Sequence, residues 1–271
     1  MILGMRFSTA SLLWLPVFAI CGFACQPSAG VTEQRVYGKP FLLCTISDNR
    51  IDESSGVAAS LEQDGVWYTH NDSGDTSRFF RFNESGAVTG VFTLKGAHAV
   101  DWEDMASARV GGAPWLYFGD IGDNLGIRQT IVVYRVAEPT GARSSLGEYD
   151  TYTLRYPDGP HNAEALLVRP ETGDLYIVTK TTAQTSAVYK LASPSASGTF
   201  TLAKIGEIKV GGGIEGSRLI TGGDVSPDGK HVIVRTYLGA YEFSTAQGFP
   251  AVMPLEQIGP KVVRMFLGAR P

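Results

Sequence analysis

The stretch "DWEDMASARV" (residues 101–110) places three carboxylates around a tryptophan and then continues as small and apolar residues. Charged residues make up only 18% of the 271-residue chain, so this concentration of acid is unusual. The same order, an acid followed by small residues and an apolar run, recurs three times: "ESSGVAAS" (53–60), "AEALLVRP" (163–170) and "GGDVSPD" (222–228). The sequence therefore contains a fourfold repeat.

The acids that lead the four copies, Glu53, Glu103, Glu164 and Asp224, are 50, 61 and 60 residues apart. Each interval holds four short runs rich in aromatic and β-branched residues, separated by turn sequences such as "NESG" and "SPDGK". A period of this length with four strands per unit is typical of a β-propeller. We predict an all-β propeller with four recognisable four-stranded blades that lacks a fifth, C-terminal blade.

The two ends of the chain differ from the repeats. The strand-like run "PFLLCTI" (40–46) precedes the first repeat, and we expect it to complete the last blade. After residue 257 no further acid-led strand follows, which makes the tail 246–271 atypical. We assign residues 1–24 to a signal peptide, 25–39 to a tether and 40–271 to the propeller domain.

The N-terminus predicts export. Arg6 precedes the apolar run "ASLLWLPVFAICGFAC" (10–25), which is too short and too interrupted by proline for a membrane span. Two processing sites compete: cleavage after Gly30, and a lipobox-like "GFAC" that would leave Cys25 lipidated, although Gly22 stands where a leucine-like residue is usual. We favour lipid anchoring through Cys25 in the periplasm or cell envelope, with secretion as the alternative.

Propeller geometry predicts where the acids meet. Innermost strands all begin at one rim of the central channel, and the loops that follow the second strands return to that rim. The charged residues at these points would therefore form one face. The predicted ligand-binding rim consists of Glu53, Asp72, Asp75, Asp101, Glu103, Asp104, Asp120, Asp123, Glu164, Lys180, Asp224 and Arg235.

Converging carboxylates repel each other unless a cation is bound or some of them are protonated. Oxygen ligands suit Ca²⁺ or another divalent cation better than zinc. The candidate metal ligands are Glu53, Glu103, Glu164 and Asp224. The alternative is that these acids cap turns and hydrogen-bond neighbouring blades.

A hydrolytic site is the other prediction. The candidate catalytic residues are His70, Asp104 and Lys180, with His70 or a rim acid as base and Lys180 or Arg235 holding an anionic substrate. The motifs of serine hydrolases (G-x-S-x-G) and zinc proteases (H-E-x-x-H) do not occur in the sequence. No nucleophile or base stands out, which favours a binding protein over an enzyme.

Several of the motifs, among them "ESSGVAAS", "WYTHNDSGD", "DWEDMA", "YFGDIGDN" and "GGDVSPDGK", resemble those of a family of exported bacterial β-propellers. More distantly, "ESSG" with "DWED" is similar to the phytase-like and SdiA-regulated propeller domains. The resemblance implies a fold and an acidic rim, and it brings no activity. By distant analogy with phytase-like domains, a metal-dependent hydrolase of phosphoesters or other esters is the alternative function.

The composition limits the partners. The net charge is −4, and no stretch concentrates enough lysine or arginine for a nucleic-acid surface. We therefore expect a small molecule or a protein at the acidic rim, a membrane contacted through the lipid anchor, and no nucleic acid.

Overall fold

Short runs of aromatic and β-branched residues between glycine-containing turns form antiparallel hairpins throughout the part of the chain that the structure describes. The computed structural model describes residues 42–141, 144–245 and 256–258. The first blade contains β1 (Ser54–Ala59), β2 (Val66–Asn71), β3 (Arg78–Asn83) and β4 (Val88–Leu94). The second blade contains β5 (Trp102–Val110), β6 (Ala113–Asp120), β7 (Ile131–Ala137) and β9 (Asp150–Arg155).

The third and fourth blades repeat this arrangement. The third contains β10 (Ala163–Val168), β11 (Leu175–Thr179), β12 (Ser186–Leu191) and β14 (Ala203–Ile208). The fourth contains β15 (Ile220–Val225), β16 (His231–Thr236), β17 (Ala240–Ser244) and β18 (Glu256–Ile258). The innermost strands pack β1 against β5, β5 against β10 and β10 against β15. The predicted four-bladed, all-β propeller is thus confirmed.

Two short strands extend neighbouring blades. The strand β8 (Ser145–Leu146) leaves the second blade and pairs in parallel with β4 of the first. In the same way β13 (Gly198–Thr201) leaves the third blade and pairs in parallel with β9 of the second. The run "FTLAKI", which reads as one strand, is therefore divided between β13 and β14 at the buried Leu202.

Large side chains fill the spaces between blades. Between the first and second blades, Phe79 lies 4.7 Å from Phe118, ring centroid to ring centroid, and Phe118 stacks on Trp102 at 4.9 Å. Trp102, the tryptophan of the opening motif, is 1% exposed. It therefore stabilises the packing of blades and offers no surface for a ligand.

Every innermost strand begins with an irregularity at the same place. In the hairpins the register shifts after Ser54, Trp102, Ala163 and Ile220. The residues that follow, Ser55, Glu103, Glu164 and Thr221, are therefore structurally equivalent. This correspondence differs from the one predicted from the leading acids of the repeats. Glu53 lies two residues before the equivalent position of its strand, and Asp224 lies three residues after it.

One carboxylate joins three innermost strands. Asp104 on β5 accepts hydrogen bonds from the N–H of Leu166 on β10 (2.9 Å) and of Gly223 on β15 (3.1 Å), and also from Met105 N–H (3.0 Å). Burial raises the pKa of Asp104 to about 8, while the N–H donors of Leu166 and Gly223 act to lower it. On the other side of β5, Ser55 of β1 donates to the carbonyl of Glu103 (2.6 Å).

The N-terminal run behaves differently from the prediction. Residues 42–46 form no strand and so do not complete the last blade; instead the carbonyl of Thr45 lies against Gly86, at the turn between β3 and β4. The last blade takes β18 as its fourth strand, paired with β17. The signal peptide, the tether, Cys25 and most of the tail lie outside the described residues. Within the described ranges, no helix has the length and apolar character that crossing a membrane requires.

We predict that Asp104→Ala destabilises the protein strongly. On two other blades, the substitution leaves the buried N–H of Leu166 and the partly buried N–H of Gly223 without an acceptor, at about 1–3 kcal/mol for each. The expected loss of about 3 kcal/mol or more would lower the melting temperature by about 6–12 °C. The control is Asp52→Ala, which removes an exposed carboxyl group. Equal melting temperatures for the two variants in circular dichroism would contradict a structural role for Asp104.

Candidate functional site

The functional candidates lie at one end of the propeller. The innermost strands begin there, and β2, β6, β11 and β16 end there, because each of them pairs antiparallel with its innermost neighbour. We call this end, with its loops and interblade connections, the acidic face.

Three acids of the acidic face lie together, and we call them the acid cluster: Asp72, Asp101 and Glu103. One carboxylate oxygen of each lies within 4.8 Å of the others. Asp72 follows β2, where its N–H donates to the carbonyl of Glu53 (2.9 Å). Asp101 directly precedes β5, and its N–H donates to Asp120 (3.0 Å). Backbone contacts thus hold both loop acids beside the start of β5.

Gly122 makes room for two of these carboxylates. A Cβ atom at this position would overlap Asp101 Oδ2 and would lie 2.5 Å from Glu103 Oε1. The N–H of Gly122 also donates to the carbonyl of Asp101 (3.2 Å). The glycine in "GDIGDN" therefore reflects the close approach of backbone to the acid cluster.

Glu103 has the most unusual environment in the acid cluster. It is only 5% exposed, and within the described part of the chain no hydrogen bond reaches its carboxylate. Burial, followed by the charges of Glu164, Asp72 and Asp101, raises the pKa of Glu103 to about 9. Burial and the charge of Asp72 also raise the pKa of Asp101. Glu103 and Asp101 therefore hold protons more tightly than ordinary carboxyl groups do.

The third blade supplies a cation, Lys180, but an ion pair already neutralises its charge. Glu164, the equivalent of Glu103 in the third blade, forms an ion pair with Lys180 at the end of β11. Lys180 also donates to the hydroxyl of Tyr237 (3.0 Å). The charge of Lys180 lowers the pKa of Glu103, but less than burial and the acids raise it.

Three other acids of the predicted rim have structural partners. Asp75 accepts hydrogen bonds from Asn71 (2.8 Å) and Arg78 (2.7 Å). Asp120 forms an ion pair with Arg128 (2.8 Å), and Asp123 accepts from the N–H groups of Ile127 and Arg128 at 3.0 and 2.8 Å. These acids fold their own loops, as the turn-capping alternative predicts.

Glu53 and Asp224 do not join the acid cluster. Both are exposed, and the carboxylate of Asp224 accepts a hydrogen bond from its neighbour Val225 (2.8 Å). Of the four predicted metal ligands, the structure therefore places Glu103 in the cluster and Glu164 beside it. The other two members of the acid cluster are Asp72 and Asp101, which were predicted as rim residues and not as metal ligands.

His70 does not have the surroundings of a general base. It is completely buried, and its Nδ1 lies 2.8 Å from the carbonyl of Asn71. Burial lowers its pKa, and its ring packs edge-on against Trp102. A Cβ atom on Gly56 would lie 2.5 Å from its Nε2, so β1 passes directly over the imidazole. Asp104, the other candidate base, is likewise buried and occupied by backbone donors.

Sequence reasoning missed the apolar residues of the acidic face. Large hydrophobic side chains lie exposed in its loops and connections, and these are Val100, Leu125, Ile127, Ile214, Tyr237 and Leu238. All of them except Tyr237 stand beside a glycine or a charged residue in the sequence, where one or two apolar letters give no signal of exposure.

No protein-family model matches this sequence, and no curated protein is similar enough to count as a relative. Among solved structures, the chain is similar to the β-propeller domain of Cps50 (Swd1) from Myceliophteria thermophila, with 13% sequence identity and a TM-score of 0.41. The match covers 75% of this chain and 57% of that chain, so this chain spans less than two thirds of its length. The propeller arrangement rests on the strand order and register described above.

The raised pKa of Glu103 predicts that stability depends on pH. A carboxyl group whose pKa is higher in the folded state contributes stability that is complete below its ordinary pKa near 4.5. That contribution falls as the pH rises toward 9, at about 1 kcal/mol per pH unit. In EDTA, urea unfolding should show lower stability at pH 8.5 than at pH 5.5.

The variant Glu103→Gln should remove only part of this dependence. The amide cannot ionise, whereas Asp104, whose pKa is raised to about 8, still can. Glu148→Gln, at an exposed glutamate, is the control and should behave like the natural protein. A Glu103→Gln variant that still loses as much stability between the two pH values would show that other groups are responsible.

Proposed function

We propose that this protein binds a divalent cation at Asp72, Asp101 and Glu103, and that it recognises a ligand on the acidic face with the help of that cation. The observation that carries the proposal is the carboxylate of Glu103. The residue is 5% exposed, its carboxylate lacks a hydrogen-bond donor among the described residues, and two more carboxylates lie beside it. A buried carboxylate without a donor is costly, and a cation would supply the missing partner.

The ligand atoms favour a hard cation. All three groups offer carboxylate oxygens, and no histidine or cysteine takes part in the cluster. Oxygen ligands of this kind suit Ca²⁺ or Mg²⁺. Because Asp72 and Asp101 are partly exposed, a bound cation could keep coordination positions open for water or for an oxygen of the ligand.

A binding role fits the geometry better than hydrolysis. The two candidate bases, His70 and Asp104, are buried and held by backbone groups. Lys180, the candidate for holding an anionic substrate, is occupied by Glu164 and Tyr237. The proposal therefore treats the cation as a binding group, and hydrolysis of phosphoesters stays the less supported alternative.

The proposal includes a location. The sequence of residues 1–25 predicts export and lipid anchoring through Cys25, which would place the acidic face in the periplasm or at the cell envelope. In such a compartment the protein would meet small molecules or other exported proteins.

Calcium titration followed by thermal unfolding tests the proposal. At pH 8 a Ca²⁺ concentration of 100 times the dissociation constant should raise the melting temperature by about 5–10 °C. Glu103→Gln should melt higher than the natural protein in EDTA, because folding no longer has to protonate a carboxyl group whose pKa is raised to about 9. It should also lose most of the calcium effect. Asp101→Asn should also lose most of the calcium effect.

The matched control is Asp64→Asn, which removes an exposed acid from the hairpin at the opposite end of the propeller. It should keep the full response to calcium. Equal stabilisation of Glu103→Gln, Asp101→Asn and the natural protein by calcium, or no stabilisation at millimolar Ca²⁺ or Mg²⁺, would contradict the proposed cation site.

A further inference from the structure

Three side chains with metal-ligating atoms meet beside the connection from β9 to β10, and we call them the tyrosine cluster: Asp158, His161 and Tyr189. The hydroxyl of Tyr189, on β12, lies 2.8 and 2.9 Å from the two carboxylate oxygens of Asp158 and 2.8 Å from Nε2 of His161. Nε2 of His161 also lies 3.0 Å from Oδ1 of Asp158. A phenol oxygen, an imidazole nitrogen and a carboxylate thus converge.

The hydrogens of these groups do not account for all of the contacts. The hydroxyl of Tyr189 has one hydrogen, and the imidazole of His161 has at most one on Nε2. These two hydrogens have to serve four contacts. Tyr189 is 0% exposed, so its hydroxyl has no contact with solvent. The cluster therefore brings together more lone pairs than hydrogens, which is the arrangement of a metal site.

The separations match one face of an octahedral metal site. With metal–ligand bonds of about 2.0–2.1 Å, neighbouring ligand atoms of an octahedron lie about 2.8–3.0 Å apart. The hydroxyl of Tyr189, Oδ1 of Asp158 and Nε2 of His161 form a triangle with sides of 2.8, 2.8 and 3.0 Å. Three ligands on one face leave the other positions open, as in the facial triads of non-haem iron proteins.

The chain holds these groups in place and leaves one side open. Asp158 and His161 belong to the stretch "YPDGPH" (156–161), in which two prolines restrict the backbone. The ring of Tyr156 packs edge-on against the rings of His161 and Tyr189, at 5.0 and 4.7 Å between centroids. The side chains of His161 and Asp158 are 33% and 40% exposed, so an ion can reach the cluster from their side.

We propose that Asp158, His161 and Tyr189 bind a ferric ion. Carboxylate and phenolate oxygens are hard anionic ligands, and imidazole is a common ligand of iron. An ordinary tyrosine keeps its proton up to about pH 10, so the ion has to displace that proton into water. A trivalent charge does this better than Ca²⁺ or Zn²⁺.

One cation of the chain competes for the same carboxylate. The ammonium group of Lys204 lies 3.9 Å from Oδ2 of Asp158, but it is 40% exposed and also pairs with Glu207 (3.0 Å). Lys204 can therefore turn away when an ion binds. The tyrosine cluster shares no residue with the acid cluster, and this proposal goes beyond the proposed function.

Visible absorption during titration with ferric nitrilotriacetate tests the proposal. Iron(III) bound to a phenolate absorbs visible light by charge transfer from ligand to metal, so the natural protein should become coloured. The acid cluster contains no tyrosine and cannot produce this band. Tyr189→Phe keeps the buried ring and should lose the band. The matched control, Tyr134→Phe, removes a buried hydroxyl that bonds to the backbone of His98 and should keep it.

The partly exposed ligands provide a second test that leaves the buried ring untouched. Asp158→Asn and His161→Gln should each weaken iron binding, measured from the band, at least about tenfold. Both variants should unfold cooperatively in circular dichroism, as the natural protein does. Asp101→Asn, in the acid cluster, should keep the band, which separates this test from that of the calcium site.

Four results would overturn the proposal. A natural protein that stays colourless in excess ferric nitrilotriacetate would show that no phenolate binds iron. A band that survives in Tyr189→Phe would assign the colour to another tyrosine. If Tyr189→Phe does not fold, equal iron affinities of Asp158→Asn, His161→Gln and the natural protein decide against the site. Loss of the band when Zn²⁺ is added at the concentration of the iron would assign the cluster to a divalent ion.

Discussion

The propeller depends on a buried carboxylate near its axis. Asp104 accepts hydrogen bonds from N–H groups on β10 and β15 and so ties three of the four blades together. In the hairpin register its equivalents in the other blades are Gly56, Ala165 and Gly222, which have small side chains or none. Space near the axis is limited, and one acid takes the place where the other three blades have small residues.

The position of Asp104 determines the position of Glu103. Glu103 directly precedes Asp104 at the register irregularity where β5 begins, so the hydrogen bonds that fix Asp104 also limit where the backbone of Glu103 can lie. The irregularity at the start of β5 and the close approach of Gly122 then leave Glu103 buried next to Asp101. The hydrogen bonds of Asp104 that hold the blades together therefore also keep Glu103 close to the other acids, at an energetic cost.

The sequence predicted the fold well because its repeat is strong. Acid-led innermost strands and Asn/Gly turns recur at a regular period, and each repeat yielded one blade. The prediction that the four leading acids are equivalent was less accurate, because the hairpin register, and not the charge, decides which residues of the four blades correspond. Glu53 and Asp224 were placed in the ring for their charge, whereas Ser55 and Thr221 occupy the equivalent positions.

Features that depend on neighbouring blades could not be predicted. The strand β8 has two residues and β13 has four, and each forms because the edge of another blade offers a parallel partner. The rim residues Asp72 and Asp101 were predicted, but their meeting with Glu103 depends on three separate loops. Likewise the exposure of Tyr237 and Leu238 follows from where the turn after β16 lies, which no local pattern shows.

The central claim is that the acid cluster binds a divalent cation, and a crystal structure grown with Mn²⁺ tests it most directly. An anomalous difference map locates the metal independently of any change in stability. We predict a peak about 2.0–2.5 Å from carboxylate oxygens of Asp72, Asp101 and Glu103. A map with manganese elsewhere on the protein, or with no peak at these three residues while Glu103 remains unpartnered, would contradict the account.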